Sequence, residues 1–451
     1  MADLSIDFAG VKSPNPFWLA SAPPTNTAYQ VNKAFEQGWG GAVWKTIGAP
    51  VLNVSSRYGG FDFGTNRLVA INNVELISDR PLAVNLREIA EVKRLWPDRA
   101  VVVSAMVESK AEAWHDIVRM IEDTGADAIE LNYGCPHGMS ERGMGAAVGQ
   151  VPEYCSMITS WATEVSHIPV IVKLTPNVTD IVPPARAAVA GHAHAISLIN
   201  TINSIVGVDL DNFQIQPNVG GKGSHGGYAG PAVKPIALNM LSAVAGDEEV
   251  QRAGLPVSGM GGIQTWRDAA EFLLLGATSL QVCTAVMHYG FRIIDELTDG
   301  LSNWLDEKGI ASVREVIGAS VPRISDFGDF DLSYKTVARI DEHSCINCNL
   351  CYIACDEGAH QSIDLLVDGV RIDPLDYRGS GKAKPVVAEE RCVGCNLCSL
   401  VCPVDGCITM VEVPPERASV TWNEISRRQP EVTADWAAME EYRRKTGIDI
   451  H

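Results

Sequence analysis

Leu131-Asn-Tyr-Gly-Cys-Pro-His-Gly-Met-Ser-Glu-Arg-Gly-Met-Gly-Ala-Ala-Val-Gly-Gln150 decides how the rest of the chain is read. It follows a short apolar run, Ala126 to Leu131, that reads as a strand, and it ends in a glycine-rich segment that no regular element would choose. An amide, a thiol and an imidazole therefore leave one strand end together: Asn132, Cys135 and His137. With Ser140, Glu141 and Arg142 among the glycines, the segment reads as an active-site lid hinged at a reactive cysteine. The same arrangement recurs along the chain. Just past other apolar runs stand Ser21, Lys45 and Thr46, Lys173 and Thr175, Asn200 and Thr201, Gly261 and Gly262, and Cys283 and Thr284. An open sheet would scatter such groups, whereas a (β/α)8 TIM barrel gathers its strand ends at one mouth.

The runs themselves are expected as strands at Trp18 to Ala22, Gly41 to Ile47, Leu82 to Leu86, Val101 to Met106, Ala128 to Asn132, Val170 to Leu174, Ala195 to Asn200, Leu255 to Ser258 and Ser279 to Cys283. That is one more than a barrel needs. Between them, Glu112 to Thr124 and Val151 to Val165 carry apolar residues at helical spacing, and Arg292 to Lys308 reads as a closing amphipathic helix. Val257-Ser-Gly-Met-Gly-Gly-Ile263 and Gln281-Val-Cys-Thr-Ala285 fall where this fold keeps a phosphate cradle.

The chain has 451 residues, long enough for two or three domains. Its 36 basic and 55 acidic residues argue against nucleic acid and anionic membranes as partners. The N-terminus lacks the form of a signal peptide and no run of about 18 apolar residues occurs, so a cytoplasmic location is expected.

Nine of the 12 cysteines lie between Cys345 and Cys407. Cys345-x-x-Cys348-x-x-Cys351-x-x-x-Cys355 is followed by Cys392-x-x-Cys395-x-x-Cys398-x-x-x-Cys402-Pro403. This is the spacing of a two-cluster ferredoxin, in which the fourth cysteine of each run ligates the other 4Fe-4S cluster. One set is then Cys345, Cys348, Cys351 and Cys402, and the other Cys392, Cys395, Cys398 and Cys355. Zinc would more often use separated Cys-x-x-Cys knuckles. Asp356 stands where proline is usual, which should alter the local turn but not the ligands. Cys155, Cys283 and Cys407 read as small buried hydrophobes. The expected organisation is a TIM barrel with its connector over residues 1–334, a small α+β ferredoxin-like domain over 335–412 and a charged helical tail over 413–451.

The lid segment, Lys173-Leu-Thr-Pro-Asn-Val-Thr-Asp180, Asn73-Val-Glu-Leu-Ile-Ser78 and the paired cysteine runs together resemble dihydropyrimidine dehydrogenase, over almost the whole chain up to Met410. No Gly-x-Gly-x-x-Gly opens a helix after a strand, so the likeness is to the FMN- and iron-sulfur-containing subunit of a bacterial two-subunit, NAD-dependent form. The resemblance implies that Cys135 exchanges a proton with pyrimidine C5 while FMN exchanges a hydride with C6. It implies substrate contacts at Asn73, Asn132, Gly134, Asn200 and Thr201. Flavin contacts would fall to Ala20, Ser21, Lys45, Thr46, Lys173, Gly230, Gly261, Gly262, Cys283 and Thr284. It further implies uracil or thymine and their dihydro forms as substrates, two 4Fe-4S clusters, and a separate FAD-containing flavoprotein subunit that oxidises NADH, in a dimer or heterotetramer. The competing readings are a dihydroorotate or other cyclic-amide dehydrogenase, and an electron-transfer module whose barrel is structural.

Overall fold

Eight short runs close into one parallel barrel in a computed structural model that describes residues 1–49, 51–135, 143–373, 382–414 and 418–446. They are β1 (Phe17–Leu19), β2 (Gly41–Ile47), β3 (Ala100–Ala105), β4 (Ala128–Asn132), β5 (Val170–Lys173), β6 (Ala195–Leu198), β7 (Val257–Met260) and β8 (Ala277–Val282). Each pairs in parallel with its neighbour in sequence, and β8 returns to β1 through Leu280 opposite Phe17. Both faces of these strands are covered, which is why they read as continuous apolar runs rather than alternating ones.

Helices link the strands and bury one stripe each. Ala111–Glu122 buries Trp114, Ile117, Val118 and Ile121 at helical spacing, and Trp266–Leu274 opens with a reciprocal cap between Thr265 and Asp268. An N-terminal hairpin, Ile6–Phe8 with Val11–Ser13, sets Phe8 edge-on against Trp18 of β1.

The expected strand Leu82 to Leu86 is instead the first turn of a helix, Leu82–Leu95. Its buried residues are Asn85, Ile89 and Val92, a helical stripe, and Asn85 is buried because it accepts a hydrogen bond from Trp44 Nε1 at 3.1 Å. A five-residue window of Leu-Ala-Val-Asn-Leu is too short to separate the two periods. With this run removed, the eight remaining expected strands are the barrel.

Two excursions cross the strand ends and knit into an antiparallel sheet in the order Ile202–Ser204, Gly226–Ala229, Asn66–Asn73, Tyr58–Phe63. One follows β2 and the other follows β6. Residues 132 positions apart in sequence are thereby hydrogen-bonded, as in Asn72 Nδ2 donating to the Ser204 carbonyl at 3.0 Å.

The chain divides into two compact units, Met1–Ile324 and Ser325–His451. In the second, Lys335–Ile340 pairs antiparallel with Ile408–Val413, beside a three-stranded sheet of Val370–Ile372, Ile363–Val367 and Lys384–Val387. The tail forms helices Trp422–Arg428, Pro430–Ala434 and Trp436–Thr446, whose Ile425 and Val432 share a small core with Leu332. Connector and tail therefore belong together within this unit.

Candidate active site

Ala20, Ser21, Lys45, Thr46, Asn73, Asn132, Cys135, Lys173, Asn200, Thr201, Gly230, Gly261, Gly262, Cys283 and Thr284 all line one cavity of ≈1190 Å³, measured to include its open mouth. It sits at the C-terminal ends of the barrel strands, beneath the antiparallel sheet. Gly134 does not line it. A Cβ at Gly134 would lie 2.3 Å from Asn200 Nδ2, so this glycine lets the Asn200 side chain lie against the backbone that follows β4.

The amides form one chain. Asn200 Nδ2 donates to Asn132 Oδ1 at 3.0 Å, the Gly134 N–H donates to the same oxygen at 3.1 Å, and Asn132 Nδ2 donates to Thr46 Oγ1 at 2.9 Å. Thr46 in turn meets Ser104 Oγ at 2.9 Å and Ser21 Oγ at 3.1 Å. Asn73 Nδ2 is held by the Gly227 carbonyl at 3.0 Å, and the Thr201 N–H by Asn200 Oδ1 at 2.8 Å. Locked amides of this kind present fixed donors and acceptors to a ring that carries both.

Both expected lysines are buried and paired. Lys45 Nζ lies 2.7 Å from Glu75 Oε1, and Lys173 Nζ lies 3.2 Å from Glu130 Oε1. Glu130, fully buried, also accepts from Ser197 Oγ and from Gln281 Nε2, each at 2.9 Å. Among the described residues Gln281 Oε1 has no hydrogen-bond partner, although it is buried and its residue lines the cavity. An acceptor left over beside two cations fits a flavin ring, which brings N–H donors and gains negative charge on reduction. Burial pushes the Cys283 thiol up to about 12, so it stays neutral and its side chain is an apolar wall.

Glu75, Tyr58 and Gln281 fall outside the expected contacts, yet each lines the cavity. Gln281, like Glu130 beneath the cavity, had a legible mark, a polar residue inside a run that is otherwise apolar. Glu75 lies within the Asn73 motif itself. Tyr58 belongs to a glycine-rich strand with no such mark.

Cys135 is 8% exposed and packs with Ile77, Met106 and Met144. Its carbonyl accepts from the Ala146 N–H at 3.0 Å, and Gly145, at φ 60°, leaves room for it, since a Cβ there would come within 2.8 Å of that carbonyl. Residues 136–142, including His137, Ser140, Glu141 and Arg142, lie outside the described residues.

In the second unit the cysteines ring two hollows. Cys345, Cys348, Cys351 and Cys402 line one, and Cys392, Cys395, Cys398 and Cys355 line the other. Cys407 also lines the first, with its thiol 3.8 Å from the Asp341 carbonyl. The two runs turn alike. Asn347 and Gly394 have φ 55° and 71°, and Asn349 and Asn396 have φ 62° and 68°, a left-handed backbone that asparagine and glycine tolerate best. Such turns wrap a short chain around a compact guest. Burial pushes the Cys351 and Cys398 thiols up to about 12 and about 11, so taking up iron must expel their protons. Asp356 has a visible effect. Without proline the first helix runs Leu350–Asp356 through Cys355, whereas the second stops at Leu400, two residues short of Cys402.

A parallel barrel with a polar cavity at its strand ends, followed by a unit with two cysteine-lined hollows, defines a flavin-barrel oxidoreductase fused to an iron-sulfur domain. The comparisons agree. The dihydroorotate dehydrogenase family model matches residues 3–305 and a 4Fe-4S dicluster domain matches 338–410. The NAD-dependent dihydropyrimidine dehydrogenase subunit PreA of Escherichia coli K12 is 41% identical over 367 residues, 80% of this chain and 87% of that one. The chloroplastic dihydropyrimidine dehydrogenase (NADP(+)) of Arabidopsis thaliana is 38% identical over 331 residues, 71% and 77% of the two chains. Among solved structures, the ligand-free DHODH of Eimeria tenella superimposes with a TM-score of 0.59 at 20% identity, covering 71% of this chain and 92% of that one, a likeness of fold. The chain belongs to the dihydroorotate dehydrogenase family, as a dihydropyrimidine dehydrogenase-like member with an iron-sulfur domain. No helix among the described residues is long and apolar enough to cross a membrane.

Proposed function

We propose that the chain is the catalytic subunit of a cytoplasmic, NADH-linked enzyme that reversibly reduces uracil or thymine to the 5,6-dihydropyrimidine. FMN is its flavin and two 4Fe-4S clusters are its electron carriers. A partner FAD-containing subunit oxidises NADH, in a heterotetramer. When bound, the flavin supplies hydride exchange at C6 and the clusters supply electrons one at a time.

The observation that carries this is one cavity holding Cys135, the linked amides of Asn132 and Asn200, and beside them Asn73 and Thr201. Reduction across a C–C bond needs a proton at one carbon and a hydride at the other, so the ring must lie between a thiol and a flavin. Asn73, Asn132, Asn200 and Thr201 fix that ring by its imide edge, which offers donors and acceptors together. Cys135 holds the proton for C5. Lys45 and Lys173 hold positive charge where reduced flavin becomes negative, and the Thr46 N–H, donating to Ser21 Oγ, fixes the end of the strand that carries Lys45.

Support also comes from the E. coli and Arabidopsis relatives, whose names carry the dihydropyrimidine activity, and from the subunit status of the former. Anaerobic mixing with dihydrouracil, dihydrothymine and dihydroorotate tests the reading. Dihydrouracil or dihydrothymine should bleach the flavin, and the purified chain should contain about eight iron atoms. Bleaching by dihydroorotate alone, or rapid NADH oxidation by the isolated chain, would overturn it.

A further inference from the structure

Glu75 is the one part of the Asn73 motif that the proposed chemistry leaves without work. Its carboxylate is the hub of a cluster at the cavity wall. Oε1 takes Lys45 Nζ at 2.7 Å and Arg57 Nη1 at 3.0 Å, while Oε2 accepts from the Tyr58 hydroxyl at 2.5 Å. The side chains of Lys45 and Glu75 are only 7% and 10% exposed. Lys45, Tyr58 and Glu75 line the cavity, as do Asn73 and Ile77 on either side of Glu75, whereas Arg57 is not part of the lining. Burial and the neighbouring carboxylate push the Tyr58 phenol far above its usual range, so it remains a donor.

This arrangement has a consequence for what can enter. Lys45 is the cation at this part of the wall, and it already has an anion at contact distance. Arg57 and Tyr58 hold that anion in place from behind. Among the described residues of this wall, a second carboxylate finds Lys45 already in contact with an anion, so it gains less from that cation and comes close to a carboxylate of low exposure, where repulsion is screened little. A neutral imide ring meets no such opposition.

Resting on the pyrimidine reading above, we infer that Glu75 is a charge filter: by occupying Lys45 it admits neutral pyrimidine rings and rejects rings that carry a carboxylate, the distinction between uracil and 6-carboxyuracil. Specificity built this way comes from a repulsive group rather than from an added attraction. It also gives the motif's acidic residue a role that its amide neighbours cannot perform.

The test uses the flavin-loaded full chain and follows the flavin absorbance on titration with uracil, 6-carboxyuracil and its neutral 6-carboxamide. Carboxamide and carboxylate are nearly the same size, so their ratio reads charge and hydrogen-bonding sense rather than shape. Wild-type protein should bind the carboxamide at least about tenfold more tightly than the carboxylate, and Glu75→Gln, which keeps the shape, should bring the two within about threefold. Equal binding of the two by the wild type, equal rejection of both, or an unchanged ratio in Glu75→Gln overturns the filter. Equal wild-type binding overturns the filter whether or not the variant takes up flavin. If wild-type flavin does not respond to uracil, the pyrimidine reading itself falls and the filter falls with it. If uracil binds but the ratio is flat, only the filter falls.

Discussion

Replacing Lys173 by methionine keeps an unbranched side chain of similar length and removes the ammonium group, which isolates one charged hydrogen bond in the floor of the cavity. The Lys173 and Glu130 side chains are 6% and 0% exposed and their charged atoms are 3.2 Å apart. At an effective dielectric of about 20 the pair attracts by about 5 kcal/mol. The carboxylate is not stripped bare by the substitution, because Ser197 Oγ and Gln281 Nε2 still donate to Oε2. The expected loss is therefore about 3–5 kcal/mol, the usual cost of leaving one member of a buried pair behind. Urea unfolding of the flavin-free chain, which removes ligand linkage, measures it. Adding Glu130→Gln to Lys173→Met should recover at least half of the loss, because no unpaired charge remains. The flavin of this double variant should stay slow to reduce, since the cation is absent in both. A Lys173→Met protein within about 1 kcal/mol of wild type would mean the pair behaves as a solvated surface pair, and the description of the cavity floor would be wrong.

Gly145→Ala should cut pyrimidine turnover while leaving flavin content intact, because the new methyl at φ 60° presses on the Cys135 carbonyl; steady-state rates and the flavin absorbance check both halves. Burial raises the Cys155 thiol from about 9 unfolded to about 12 folded, so its contribution is complete below pH 9 and is lost as pH rises toward 12. Urea midpoints should fall above pH 9, less steeply in Cys155→Ala than in wild type. Cys407→Ser should keep its full iron content, whereas Cys402→Ser should lose iron from the first hollow, as read by iron and acid-labile sulfide.

The barrel was legible because its strands are buried on both faces and end in chemistry. Lys45, Asn132, Lys173 and Asn200 each stand at the close of an apolar run, and that pattern alone brings them to one rim. Leu82 to Leu86 misled because five residues cannot distinguish a strand from a helical turn, and the signal that would have decided it, the buried Asn85, depends on Trp44 in another element. The antiparallel sheet over the cavity left no trace for a similar reason. Its strands are short, glycine-rich and partly exposed, and its pairing joins segments far apart in the chain. Glu75 was in plain view within the Asn73 motif, but its role depends on Lys45, Arg57 and Tyr58, whose convergence no spacing reveals. The cysteine sets follow a rule of spacing, whereas Cys407, which also lines the first hollow, lies outside both runs and no spacing places it there.

The sheet over the cavity also bears on how such a barrel can be remodelled. Asn73 comes from the excursion after β2 and Thr201 from that after β6, yet Asn73 is held by Gly227 and Asn72 by Ser204 across the seam between them. Exchanging one excursion for that of a related barrel would strand Asn72 without its partners and leave a row of backbone groups unpaired. The two loops are thus a single inheritable piece. On the proposed reading, substrate preference would move only with that pair, while the cavity floor beneath, built from other strand ends, stays where it is.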